Sequence, residues 1–278
     1  MNYQRIDMKK SGVLRLIAVL VVFHASLLPS SFSFLLPPSS ILLAQSEGGL
    51  IVGVEAEKKL TSDLSINLGG DFRSRNDFKT ADRWSGSVGL DYKLTKWLKA
   101  DASYTLLYDN YREKITNKYW RPSYWGIRHR LNASLTASTK LPGTDLKISL
   151  RERWQYTYRP QGDTDRYYFS DYGSTTWQGT DGWVPQTRVR DGKAKSQLRS
   201  RFEVEYDRKR ATLKPFANIE LYNSWGIEKI RYTLGTSLKL TKQHSFDLYY
   251  RFQDQRHVDE NDYDPDMHYL GVGYKIKF

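Results

Sequence analysis

From about residue 50 to the last residue, apolar and polar side chains alternate with a period of two, in ribbons of roughly ten residues or more. In SLRERWQYTYR (149–159), Leu150, Trp154, Tyr156 and Tyr158 share one face, and Arg151, Arg153, Gln155, Thr157 and Arg159 share the other. In 124–140, Trp125, Ile127, Leu131, Ala133, Leu135 and Ala137 oppose Arg128, Arg130, Asn132, Ser134, Thr136 and Ser138. Only an extended chain sends successive side chains to opposite faces, so this period specifies strands. Similar ribbons lie near 50–60, 64–75, 83–94, 97–111, 196–207, 212–225, 228–240, 245–256 and 267–278. They exceed the ~5–6 residues usual in soluble sheets and match the ~9–11 that a tilted membrane strand needs.

The spacing of the turns selects among all-β folds. Short turns at 61–63, 95–96, 142–143, 208–211 and 241–244 alternate with loops at 76–81, 112–123, 160–195 and 257–266, apart from a short connection near Gly226. A soluble sandwich has no reason to sort its connections by rim; an up-and-down transmembrane barrel does. Tyr and Trp also gather toward strand ends, as an interfacial girdle requires. Twenty Tyr, 11 Phe and 8 Trp oppose disorder, and the lack of Cys removes disulfides and thiolate chemistry. The expected fold is therefore an antiparallel β-barrel of 10–12 strands. Ten ribbons from Leu64 close an even wall. The ribbon at 50–60 makes twelve if a short strand precedes it, or packs on the rim of ten.

The two ends of the sequence speak to location. Lys9, Lys10 and Arg15 accompany an apolar run over 13–28, followed by Ser- and Pro-rich sequence ending in LLAQ. This pattern reads as a signal peptide over 1–44, with the barrel occupying 45–278. At the other end, Leu270, Val272, Tyr274, Ile276 and Phe278 share a face, and Phe278 is the last residue. Such a closing strand resembles the signal by which barrel-assembly machinery recognises its clients, carried here by Tyr274, Ile276 and Phe278. The expected location is the outer membrane of a Gram-negative cell, with lipid, lipopolysaccharide and that machinery as partners. Nucleic acid is not expected, because the aromatics are assigned to lipid and the arginines to acids.

With polar ribbons turned inward, the lumen receives Arg73, Arg128, Arg130, Arg151, Arg153, Arg199, Arg201, Arg231 and Arg251. The inward acids are Glu55, Glu57, Asp71, Asp91, Asp101, Glu203, Glu205, Glu220 and Asp247. Equal numbers of each sign predict a nearly neutral interior, either a packed salt-bridge core or a selective pore lined by the same groups.

His129 and Glu152 fall on the apolar face. A turn centred on Pro142-Gly143 pairs His129 with Tyr156 and Ala133 with Glu152, and a bulge is expected to rotate Glu152 inward. Neither residue has the base and orienting group of a hydrolase, so no enzyme and no cofactor is expected. Loop 160–195 carries Tyr167, Tyr168, Phe169, Tyr172, Trp177 and Trp183, which could stack on a sugar or fold back as a lid. In 257–266, Asp259, Glu260, Asp262, Asp264 and Asp266 lack the spacing of an EF-hand, and a solvated acidic loop is expected.

KKLTSDLS (58–65), YKLTKWLK (92–99) and LKLTKQHS (238–245) share a K-L-T pattern at a turn, from duplication or from equal turn demands. Finally, SLRERWQYTYRP (149–160), EKIRYTLGTSLKLTKQHSFDLYYRFQ (228–253), HYLGVGYKIKF (268–278), NKYWRP (117–122) and RHRLNASLT (128–136) resemble a family of Gram-negative outer-membrane barrels known only as a domain of unknown function. The likeness departs at 160–195. It implies a fold and a location, and no activity.

Overall fold

The computed structural model describes residues 46–115, 119–169, 183–256 and 264–278. The leader assigned to 1–44 lies outside them. In chain order the strands are β1 (Ser46–Lys59), β2 (Leu64–Arg75), β3 (Thr80–Lys93), β4 (Leu98–Tyr111), β5 (Lys114–Ile115), β6 (Tyr119–Arg121), β7 (Tyr124–Lys140) and β8 (Leu146–Arg159). They continue as β9 (Gly162–Phe169), β10 (Trp183–Arg190), β11 (Lys193–Tyr206), β12 (Leu213–Asn223), β13 (Ile227–Lys239), β14 (His244–Gln255) and β15 (Asp266–Lys277). Among these, β1-β15-β14-β13-β12-β11-β8-β7-β4-β3-β2 close a barrel, and β10-β9-β6-β5 form a separate sheet.

Eleven strands correct the lean toward twelve. The first ribbon neither acquires a preceding partner nor packs on a rim. Instead β1 enters the wall, antiparallel to β2 and parallel to β15. An in-register parallel pair places like-facing residues side by side, so an odd count closes without a face mismatch. Leu50, Val52 and Ala56 lie beside Leu270, Val272 and Ile276 on the outside. Gly53 and Glu55 lie beside Gly273 and Lys275 on the inside.

The three K-L-T turns share one hydrogen-bond pattern. Thr61 Oγ1 accepts from the amides of Asp63 and Leu64, Thr95 Oγ1 from Trp97 and Leu98, and Thr241 Oγ1 from Gln243 and His244. A threonine that satisfies two turn amides is a local solution to a hairpin, so the recurrence has a physical cause in the turn itself.

At 141–146 the closure is wider than the Pro-Gly centre implied. The Leu141 amide donates to the Leu146 carbonyl, with Gly143 at φ 74°. The register is accordingly His129 with Tyr158 and Leu135 with Glu152, two residues from the expected pairing. A slip of two preserves every side chain's face.

The wall is inside out relative to a soluble fold. Val54 is 57% exposed, Leu68 57%, Leu135 51% and Leu234 65%, all on the outer face. The inner face is mostly polar, with a small apolar cluster of Ile51, Met267 and Tyr269 packed against Tyr249, and Leu107 and Tyr222 buried elsewhere on it.

Candidate functional site

The interior has two halves. Toward the rim of the long connections, ion pairs fill it. Asp109 on β4 accepts from Arg83 on β3 and from Arg128 on β7, the latter at 2.6 Å. Glu220 on β12 is only 6% exposed and serves several donors: Arg151 at 2.7 Å, Arg199 at 2.8 Å and the Tyr222 hydroxyl at 3.0 Å. Arg231 donates to the Tyr222 hydroxyl and lies 3.8 Å from Glu220. The guanidinium groups of Arg199 and Arg231 sit over the Tyr222 ring, 4.4 and 4.7 Å from its centroid.

Toward the short-turn rim the interior is hollow. A cavity of about 1050 Å³ reaches that rim at Thr95, Lys96 and Trp97 and runs inward to Arg73, Arg130, Arg199 and Tyr249. Twelve Lys and Arg side chains line it against six Asp and Glu. Asp109 and Glu220, behind this lining, neutralise part of that excess and leave the chamber positive. The expected near-neutral balance is therefore corrected in this half, and the interior combines the two expected forms, a packed ion-pair layer and a lined, hollow chamber. Arg83, Lys99, Lys147 and Lys275, which face inward, were absent from the balance; the alternation that placed their neighbours could have found them.

The assigned lumen residues all point inward by register. Arg153 donates to Ser134 Oγ at 2.8 Å and lies 3.5 Å from Asp101. Arg201 lies 3.6 Å from Glu203, Glu205 holds Lys147 at 3.2 Å, and Asp247 accepts from Ser237 at 2.5 Å. Across the parallel seam, Lys275 bridges Glu55 at 2.5 Å and Glu57 at 3.2 Å. Asp71 accepts from Ser85, and Asp91 pairs with Lys99 at 2.8 Å. Arg73 and Arg251 lie over the rings of Tyr269 and Tyr249, at 5.2 and 4.8 Å. Tyr222, Tyr249 and Tyr269 thus contradict the assignment of aromatics to lipid: strand parity turns them inward, where cations cover their faces.

On the outer face, Glu152 stays outward because the pairing of β8 with β7 and with β11 runs through it without a bulge. Its carboxylate accepts from Ser200 Oγ at 2.7 Å across β11. His129 Nδ1 lies 2.7 Å from the Tyr104 hydroxyl, His244 Nδ1 2.6 Å from Tyr274 and His268 Nδ1 2.5 Å from Tyr250. Among the described residues, each outward histidine therefore meets a cross-strand tyrosine.

Segment 160–195 is not simply a loop. Strands β9 and β10 continue the line of β8 and β11 as a hairpin beyond the wall and join β6. The Tyr167 ring packs on Trp120 at 4.9 Å, and Arg190 covers Tyr111 at 4.6 Å. Tyr172 and Trp177 lie outside the described residues; Tyr168 and Trp183 contribute strand backbone. Of the acidic loop, 257–263 lies outside as well, while Asp264 and Asp266 both accept from Gln255. At the long-connection rim, Arg112 grips Glu47 of β1 with two hydrogen bonds of 2.8 Å. Burial disfavours its charge, and these bonds outweigh that effect, holding Arg112 above the ordinary guanidinium value.

A family profile described as "Protein of unknown function (DUF2490)" matches residues 51–264. No curated protein matches the chain. Among solved structures, the beta domain of the Bordetella autotransporter BrkA is similar at 12% identity and a TM-score of 0.44, covering 79% of this chain and 86% of that one. The translocator domain of the autotransporter NalP from Neisseria meningitidis is similar at 13% identity and a TM-score of 0.43, covering 79% and 76%.

Proposed function

We propose that this chain, which belongs to the DUF2490 family of proteins of unknown function, is an integral outer-membrane barrel acting as a non-catalytic gated passage, closed at rest. The apolar band on the outer face supports membrane residence: a soluble barrel would expose it to water at a cost of ~25 cal/mol per Å². The layer centred on Glu220 and Asp109 carries the gating reading. One carboxylate shared by Arg151, Arg199 and Arg231 fills the lumen on the long-connection side, while the other side stays hollow. In the outer membrane the short turns face the periplasm, so the chamber opens inward and the seal faces out. Lipid and lipopolysaccharide surround the band, and the barrel-assembly machinery inserts it.

Two measurements test this reading. Cell fractionation should recover the mature protein in the outer membrane with heat-modifiable gel mobility, and recovery as a soluble periplasmic protein would overturn it. In a planar bilayer the unmodified protein should be mostly silent, with brief small currents; a large steady conductance would exclude a closed resting state.

A further inference from the structure

The chamber wall sets like charges against each other. Arg73 stands directly opposite Arg83 across β2 and β3. Arg151 stands opposite Arg201, and Arg153 opposite Arg199, across β8 and β11. Like charges directly opposite on one face of a sheet destabilise it, and a merely structural lumen would interleave acids instead. These six arginines all line the cavity.

Arg130, on β7 in the same lining, goes further. The strongest charges acting on it are those of Arg83, Arg199 and Arg128, all of its own sign, with Tyr222 opposing them more weakly. Its Nε is buried without a hydrogen-bond partner, and among the described residues no carboxylate lies within ion-pair distance of it. The neighbours are served: Arg83 and Arg128 by Asp109, and Arg199 by Glu220. A guanidinium withdrawn from water without a counter-ion is costly, and a bound anion removes that cost.

We propose that the chamber binds a small soluble polyanion, carrying two or more phosphate or carboxylate groups, with one group seated on Arg130. This deepens the closed-barrel reading, since a sealed passage supplies a blind site entered from the short-turn rim. Lysines line the entry: Lys93 faces Lys99 across β3 and β4, and Lys96 and Lys275 lie on the same approach. The ligand therefore passes from lysines, which act as point charges, to arginine forks that bind oxyanions in two-pronged fashion. A volume near 1050 Å³ is that of a site for a molecule well above the size of a single phosphate. Single-stranded nucleic acid fits poorly. It requires open aromatic platforms, and the rings of Tyr222, Tyr249 and Tyr269 are covered by arginines.

The test is isothermal titration of the folded mature barrel in detergent with inorganic pyrophosphate and, separately, citrate. At least one should bind saturably, and which of them binds identifies phosphate or carboxylate as the preferred group. Arg130→Gln should weaken that binding roughly tenfold or more, the loss of a charge-assisted hydrogen-bonded contact. Arg130→Lys, which keeps the charge and loses the fork, should fall between. Lys209→Gln removes the same charge from an exposed turn on the same rim, outside the lining, and should leave affinity unchanged. Heat-modifiable mobility checks that each variant is folded. Independently of any variant, a saturating ligand should raise the unfolding temperature of the wild type. Absence of saturable binding by both probes overturns the proposal, as does an equal loss in Arg130→Gln and Lys209→Gln. Either failure leaves the closed-barrel reading standing, because that reading is decided by conductance and location.

Discussion

Tyr249 lies across the face of Gly271: a Cβ built at Gly271 would stand 2.1 Å from the Tyr249 ring. At Gly235, on the other side of Tyr249, a Cβ would stand 2.6 Å from the Tyr249 Cβ and 2.8 Å from the ring of Phe216. Phe216, Gly235, Tyr249 and Gly271 are in register across β12, β13, β14 and β15, so the bare position at Gly271 makes room for the Tyr249 ring and the one at Gly235 for Phe216. Gly271→Ala should lower the unfolding free energy by about 1–3 kcal/mol, the cost of forcing a side chain into filled space. Adding Tyr249→Ala should return part of that loss. An alanine tolerated without change would mean that the ring does not rest on Gly271.

The seal should respond to loss of its shared acid. Glu220→Gln leaves Arg151, Arg199 and Arg231 without the carboxylate they hold in common. Removing one partner of a buried ion pair costs ~3–5 kcal/mol if water stays out. Water should enter instead, so single-channel current rises while the unfolding midpoint falls. Arg151→Ala with Arg153→Ala should be milder, because Glu220 keeps Arg199 and Asp101 keeps Ser134. Equal effects of the two changes would show that Glu220 is not the centre of the layer.

Phe278→Ala separates assembly from stability. The Phe278 side chain is 65% exposed on the outer face, while its amide donates to the Glu57 carbonyl at 2.9 Å, a bond alanine retains. Insertion should slow markedly, with little change in the unfolding midpoint of barrels already formed. Pulse-chase assembly kinetics beside thermal unfolding would detect the difference, and matched assembly rates would remove the terminal strand's role as a signal.

The K-L-T turns predict a graded response. Thr95→Val deletes the oxygen that satisfies the Trp97 and Leu98 amides and should cost about 1 kcal/mol. Thr95→Ser should cost less, since it keeps the acceptor. Indistinguishable unfolding midpoints for Val and Ser would place the stabilisation elsewhere.

Much of the fold was legible because alternation constrains faces directly. Arg128, Arg130, Arg151 and Arg153 were placed inward from period alone, and the two-residue slip between β7 and β8 left them there. The slip arose because Pro142-Gly143 marks a turn without stating its width. The parallel seam was hidden for a different reason: β1 shows the same alternation whichever way its neighbour runs. Tyr222, Tyr249 and Tyr269 run against residue type, which points aromatics to lipid, because strand parity decides their face. The β9–β10 hairpin is not legible as strand because its sequence, rich in Tyr, Asp and Arg, lacks an apolar face.

The parallel seam has a topological consequence. In a barrel with an even number of wall strands, the first strand begins and the last strand ends on one rim, and a short linker can join them. Here β1 begins level with Asp266, at the start of β15, and Phe278 follows the far end of that strand. The two points lie on opposite rims. A circular permutant would need a linker crossing the whole height of the wall, on the order of 40 Å for twelve residues at ~3.3 Å each. The same geometry gives the barrel two differently addressed ends. A peptide fused before Ser46 is displayed at one mouth, and one fused after Phe278 at the other.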